Sequence, residues 1–239
     1  MLNLLSGLGV AIVVALVLVL LKVNFWVAFI IGLLAGVGMF LYLGKRIQGR
    51  LEQVFNRAAE ALKKQHFDQG IEVLKEGYAF AKWQFLVKGS IDGQIGVVQF
   101  LRKKNEEAEP LLRSASFQHY IAKAMLGILL YKRGEKKQAK NTFELALRSG
   151  KKESLLYAVY AYVLNEMRER EKAVEILNRG LKVCKDDERL LVNRTSLQNN
   201  KPMKMKVYGE QWYQFMLERP IIRQEPPPFA RVSKRALRG

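Results

Sequence analysis

Leu2 to Leu21 is a run of 20 residues without a charge, and Val23 to Gly44 is a second run of 22. A helix rises about 1.5 Å per residue, so each run can cross a hydrocarbon core of roughly 30 Å. Only Lys22, Val23 and Asn24 separate their cores. Inside lipid every backbone polar group must be satisfied within the segment, so the prediction is an antiparallel helical hairpin over residues 1–44. A signal peptide fits the first run poorly. No basic side chain precedes it, it is too long, and no A-x-A-like site follows.

Small residues stand on one face of each run at four-residue spacing: Gly7, Ala11 and Ala15, then Ala28, Gly32 and Gly36. Such ladders let helices approach closely. Antiparallel pairing would set Gly7 against Gly36, Ala11 against Gly32 and Ala15 against Ala28, since each pair of numbers has the same sum. Lys45, Arg46, Arg50, Arg57, Lys63 and Lys64 follow the second run closely, while the connecting turn has Lys22 alone. By the positive-inside rule the chain is expected in the inner (plasma) membrane with two spans and both termini cytoplasmic. Phe25 and Trp26 would anchor the outer interface, and Tyr42 the inner one.

Beyond the hairpin the composition changes. Forty Lys and Arg against 22 Asp and Glu give the chain a net charge of +18, and all but Lys22 of these charges follow residue 44. That balance favours anionic partners. Cys184 is the only cysteine, so no intrachain disulfide forms. No Cys, His, Asp or Glu spacing resembles a metal site, and no nucleophile–base pair or phosphate-binding glycine loop stands out. Neither an enzymatic activity nor a cofactor is expected, nor a small-molecule substrate.

From Leu51 to about Asn200 apolar residues recur at spacings of three and four, the pattern of helices. Helices of 12–16 residues joined by polar turns are predicted. The segment Ala124–Gly150 carries Leu126-Gly127, then Gly134, then Ala139, Phe143 and Ala146. It resembles the tetratricopeptide repeat in its Leu-Gly pair, its turn glycine and its Ala, aromatic, Ala second helix. Weaker units follow the same order. The fourth has Tyr160-Ala161, Ala173, Leu177 and Gly180. The second has Ile95-Gly96, Ala108, Leu112 and Ala115. The first has Ala58, Phe67, Gly70, Leu74 and Gly77. The second-helix marker thus stands at 70, 108, 139 and 173, at intervals of 38, 31 and 34. Asp187 to Gln198 reads as a capping helix, started by Asp186 or Asp187.

The resemblance implies an all-α chain, with the hairpin followed by a tetratricopeptide-like α-solenoid over residues 45–200. Members of that family bind peptides or helices in a groove lined by the first helix of each unit. Carried onto this sequence, the lining is Val97 and Phe100, then Ile128, Tyr131 and Lys132, then Tyr162, Asn165 and Glu166. The layout is similar to that of bacterial inner-membrane tetratricopeptide proteins, including those associated with haem biosynthesis, in architecture only. The implied function is a membrane-anchored scaffold for a protein partner. The other reading is a membrane-bound binder of nucleic acid or anionic lipid, because residues 201–239 carry nine Lys or Arg against three Asp or Glu.

The segment GEQWYQFMLERP, 209–220, holds the densest aromatic cluster. Drawn as one amphipathic helix over 205–218, it puts Met205, Tyr208, Trp212, Phe215 and Met216 on a single face. That face is expected to dock on the repeats, either capping the last unit or occupying the groove. The basic, Pro-rich residues beyond are left for an anionic partner.

Overall fold

The computed structural model describes residues 2–219. Its regular structure is helical, and no strand occurs among the described residues. Two helices, α1 (Leu2–Leu20) and α2 (Phe25–Lys63), are long and apolar enough to cross a membrane. Lys22, at φ 60°, turns the chain between them. Asn24 caps α2 by accepting the Trp26 N–H at 2.9 Å.

Along the seam of α1 and α2 the backbones nearly touch. A Cβ on Gly36 would lie 2.6 Å from the Gly7 carbonyl oxygen and 2.7 Å from Ala11 Cβ. One on Gly32 would lie 2.6 Å from the Ala11 carbonyl oxygen and 2.9 Å from Ala15 Cβ. Gly7, Ala28, Gly32 and Gly36 are buried, and Ala11 and Ala15 half-buried. The outward faces are apolar and exposed, with Leu5, Ile12, Leu16, Leu34 and Leu41 among them.

Helix α2 does not stop at the end of its apolar run. It spans 39 residues, which makes it about 58 Å long, so the expected boundary at 44/45 falls inside a helix. A buried stripe of Ile47, Val54, Ala58 and Ala61 explains the continuation. These residues keep helical spacing, and Ile47 and Ala58 join a core that includes Ile71 and Leu74 of α3 (Phe67–Glu76).

Up to Val183 the helices are arranged in pairs. After α2 and α3 come α4 (Phe85–Leu101) with α5 (Asn105–Ser114), α6 (Tyr120–Lys132) with α7 (Lys136–Ser149), and α8 (Ser154–Glu166) with α9 (Arg170–Val183). Helix α10 (Glu188–Gln198) packs on α9. Helices α3 and α5 have ten residues each and α4 has 17, outside the expected 12–16. The shortening has local causes. Helix α3 passes into a 3-10 turn at Gly77–Phe80, and Ala115 ends α5 with an extended ψ of 142°.

Each pair turns through one left-handed residue: Gln65, Lys103, Gly134 and Arg168, with φ of 61°, 62°, 89° and 63°. The next N–H then reaches back across the last helical turn. His66 donates to the Ala61 carbonyl and Lys104 to that of Gln99, both at 3.0 Å; Glu135 donates to Leu130 and Glu169 to Leu164, both at 2.9 Å. This is the Schellman arrangement, which satisfies carbonyls that the helix end leaves open.

Small residues recur where helices cross. Ala58, Gly96, Gly127 and Ala161 stand in the first helix of the pairs, and Gly70, Ala108, Ala139 and Ala173 each occupy the fourth position of the second. Gly77, Ala115, Ala146 and Gly180 follow at equal spacing, and all twelve are buried. A Cβ on Gly127 would lie 2.8 Å from the Phe143 ring, so the glycine makes room for the aromatic. Phe143 stacks on Tyr160 of the next pair, with centroids 4.9 Å apart and planes 8° from parallel.

Candidate functional site

The site is the face presented by α4, α6, α8 and α10. Its apolar floor lies deep. Phe100 is 1% exposed and Ile128 is fully buried. Val97, Tyr131, Tyr162 and Asn165 are half-buried, while Lys132 and Glu166 are exposed. The structure therefore divides the eight expected lining residues. Phe100 and Ile128 belong to the core; the others stand nearer the surface.

The chain's own C-terminal segment covers this face. It crosses the helices in reverse order. At α10 the Lys204 N–H donates to Asn193 Oδ1 at 2.7 Å, and the Arg189 guanidinium lies 4.9 Å from the centre of the Tyr208 ring. At α8 the Trp212 and Tyr162 rings meet edge to face. At α6 the Lys132 ammonium donates to the Met216 carbonyl at 3.0 Å. Near the end of α4 an open depression is lined by Phe100, Lys103, Asn105 and Lys132 on one side and Tyr213, Met216, Leu217 and Glu218 on the other. Met205, Tyr208, Trp212 and Phe215 are buried, Trp212 completely, and Met216 is half-buried.

The segment is not the single helix that its spacing predicts. Met205–Tyr208 is a 3-10 turn and Glu210–Tyr213 one helical turn, with Gly209 between them at φ 59° and ψ −141°. Met216, at φ 52°, bends the chain again. Gly209 makes the break cheap, because it lacks a Cβ to clash at positive φ. Two short turns still bury the side chains of 205, 208, 212 and 215 against the repeats. The segment lies on α10 and also reaches α8 and α6.

Electrostatics at the face are set by burial. Burial, and then the carboxylates of Glu166 and Glu218, hold the Tyr162 hydroxyl well above the ordinary phenol range. Burial, with Glu166, raises Tyr131 as well. Burial lowers Lys132. Both phenols therefore stay protonated as donors. Trp212 Nε1 donates to Glu218 Oε2 at 3.2 Å. The face can hold an aromatic anchor and hydrogen-bond the backbone around it. No group of three His, Cys, Asp or Glu able to hold a metal occurs among the described residues. The basic stretch assigned to an anionic partner lies beyond residue 219, outside the described residues.

Two buried polar residues lie outside the expectations from sequence. Asn193 is fully buried, with Nδ2 donating to the Arg189 carbonyl at 2.8 Å while Oδ1 receives Lys204. A buried Asn in a helix followed by a loop is the cue that could have found it. Asp92, 4% exposed, accepts from the Tyr78 hydroxyl at 2.5 Å and from Ser114 Oγ at 2.8 Å. Those two bonds pin the Gly77–Phe80 turn and α5 to α4. Asp187 caps α10, accepting the N–H groups of Arg189 and Leu190.

The chain as described is an all-α protein with two candidate membrane spans and a face covered by its own C-terminal segment. Comparison with protein-family models, curated proteins and solved structures gave no significant match.

Proposed function

We propose that the protein is a membrane-anchored scaffold that docks a partner peptide or helix on the cytoplasmic side. In this reading α1 and the first half of α2 cross the inner membrane. The helix pairs form a tetratricopeptide-like solenoid whose first helices line the binding face. The observation that carries the reading is the path of residues 203–218: an irregular, aromatic-bearing segment lies along that row of helices, anchored by Trp212 and held through its backbone by Asn193 and Lys132. A surface that holds such a segment in cis has the chemistry to hold one in trans. The small-residue crossings at 58, 96, 127 and 161 and at 70, 108, 139 and 173 support the solenoid part. The apolar exposed flanks of the hairpin and the basic residues after Gly44 support the membrane part.

The occupied face sets the terms for a partner. A tethered segment competes at an effective concentration on the order of mM. A partner must bind more tightly than the tail does, or present a better anchor than Trp212.

The test uses a photo-crosslinking amino acid at position 131 or 162 in intact membranes. The wild-type chain should crosslink within itself, to residues 212–219. The Trp212→Ala chain should instead yield adducts with a second protein. Absence of any intermolecular adduct from either chain would sink the scaffold reading. A periplasm-active reporter should be silent after Gly239 and active at Asn24. The reverse pattern would invert the topology.

A further inference from the structure

The start of α1 is tied to the repeat domain. The Leu2 N–H donates to the Lys82 carbonyl at 3.0 Å, and the Asn3 N–H to that of Trp83 at 3.4 Å. These carbonyls belong to the loop between the Gly77–Phe80 turn and α4. Asn3 behind them is 2% exposed, so the loop closes over the beginning of the helix. The Trp83 side chain does not turn inward; the residue is 38% exposed.

The seam fixes how deep that loop lies. Gly7 meets Gly36 across the hairpin, and the helices are antiparallel. One and a half turns earlier, Leu2 is level with Leu41 of α2. The Lys82 and Trp83 carbonyls cap α1 just beyond that, level with Leu43 and Gly44. There the uncharged run of α2 gives way to Lys45 and Arg46, with Arg50 a turn further on. A loop carrying Lys82 and Trp83 thus sits where apolar surface changes to basic surface.

We propose that residues 82–83 form a second membrane contact, with the Trp83 indole seated in the headgroup layer of an anionic phospholipid leaflet. This inference rests on the reading of α1 and α2 as spans. An indole suits that layer because its ring is apolar and its N–H needs a polar partner. Lys45 and Arg46 supply positive charge at the same depth and Arg50 just beyond it, which attracts anionic headgroups. Helix α2 runs unbroken into the repeat domain and supports it at one point of the bilayer surface. A contact at residues 82–83 adds a second point beside it and restrains how far the domain can tilt on the bilayer.

Three tryptophans make the test direct: Trp26, Trp83 and the fully buried Trp212. The full chain is reconstituted into phosphatidylcholine–phosphatidylglycerol vesicles that carry a spin label either near the headgroup or near the acyl-chain end. Trp83 emission is the difference between Trp26→Phe and Trp26→Phe/Trp83→Phe. It is expected to fall roughly twofold with the shallow label and to change little with the deep one. Emission from Trp26, read in Trp83→Phe, reports insertion of the hairpin. Quenched Trp26 with unquenched Trp83 overturns this inference and leaves the spans standing. Unquenched Trp26 overturns both. Should the double variant fold poorly, fluorine-labelled tryptophan in Trp26→Phe gives a resonance for Trp83 whose broadening by the shallow label reads the same contact. No broadening would again overturn it.

Discussion

The rings of Tyr162 and Trp212 meet edge to face, with centroids 4.9 Å apart and planes inclined at 65°. Fifty residues separate them in the chain, so the contact joins the third first-helix after the hairpin, α8, to the C-terminal segment. An aromatic pair of this kind contributes about 0.5–1.5 kcal/mol beyond the area it buries. Removing Trp212 also removes a fully buried indole, and such truncations cost about 3–5 kcal/mol when the surroundings cannot relax. Here they can, because the segment is free to leave. The cost of Trp212→Ala should therefore stop at the docking free energy of the segment.

Melting of the detergent-solubilised chain measures this. Trp212→Ala and truncation after Asn200 should lower the melting temperature by similar amounts, several degrees each. Tyr162→Ala should lower it less, and the double variant should match Trp212→Ala alone. Additive losses for the two single variants would mean that the rings do not act as a pair.

Asn193 gives a second handle on the same segment. Its Oδ1 accepts the Lys204 N–H in a fully buried setting. Asn193→Ala leaves that N–H without its partner, at a cost of about 1–3 kcal/mol. Each 1.4 kcal/mol is about tenfold in an opening equilibrium, so trypsin should cut at Lys204 and Lys206 about fivefold faster or more. An unchanged rate would show that the Lys204 bond does not hold the segment.

The left-handed turns supply a prediction with opposite signs. A non-glycine residue at positive φ costs about 1–2 kcal/mol. Arg168 and Lys103 bear that cost at φ 63° and 62°, while Gly134 avoids it at φ 89°. Arg168→Gly and Lys103→Gly should each raise stability by up to about 1 kcal/mol, less the entropy that glycine adds to the unfolded chain. Gly134→Ala should lower it by a similar amount through backbone strain alone, since nothing lies within 4 Å of a Cβ there. Thermal melts of the three variants check both signs.

These turns also show what the sequence hides. The unit around Gly134 stands out because its left-handed residue is a glycine. Its counterparts are Gln65, Lys103 and Arg168, which carry no such mark, yet all four turns use one hydrogen-bond pattern. The small crossing residues remain visible in every unit, because a helix crossing tolerates only small side chains. The seam of α1 and α2 is legible for the same reason. The path of residues 205–218 is not. Spacing of three and four records which side chains turn inward, and a 3-10 turn, a kink at Gly209 and one helical turn satisfy it as well as a continuous helix does. The apolar run ends at Gly44 without a change of element, because the stripe of Ile47, Val54, Ala58 and Ala61 carries α2 on through it. Contacts such as Leu2 with Lys82 join distant backbone groups and leave no trace in side-chain pattern at all.

Asp187 makes the last helix pH-sensitive in a defined window. Burial pushes its carboxyl up, but hydrogen bonds from Arg189 and the Leu190 N–H outweigh that and hold it at about 2, below its ordinary 3.8. A depressed folded value means that the carboxylate stabilises the fold fully above the unfolded value, and that this share is lost as pH falls toward 2. Asp187→Ala should cost about 1 kcal/mol at neutral pH through loss of the cap. Asp187→Asn keeps a capping oxygen without a charge. Its deficit against wild type should be present at pH 6, shrink as pH falls below 3.8, and be lost as pH falls through about 2. A deficit that stays constant from pH 6 to pH 2 would show that the charge of Asp187 contributes nothing to the cap.

The hairpin seam can be tested by two glycines only two residues apart. A Cβ on Gly36 would meet the Gly7 carbonyl oxygen at 2.6 Å, and backbone cannot yield to that without parting the helices. Gly38 has nothing within 4 Å of its Cβ position. Gly36→Leu should therefore open the seam, whereas Gly38→Leu should leave it intact and lengthen the apolar outer face. Proximity is read by disulfide formation between Leu4→Cys and Phe40→Cys, which line one apolar depression across the seam and add no bulk to it, in a chain whose own thiol is removed by Cys184→Ser. The pair should oxidise rapidly alone and with Gly38→Leu, and at least about fivefold more slowly with Gly36→Leu, since overpacking costs about 1–3 kcal/mol. Equal rates with both leucines would mean that close backbone approach at Gly36 does not hold α1 against α2.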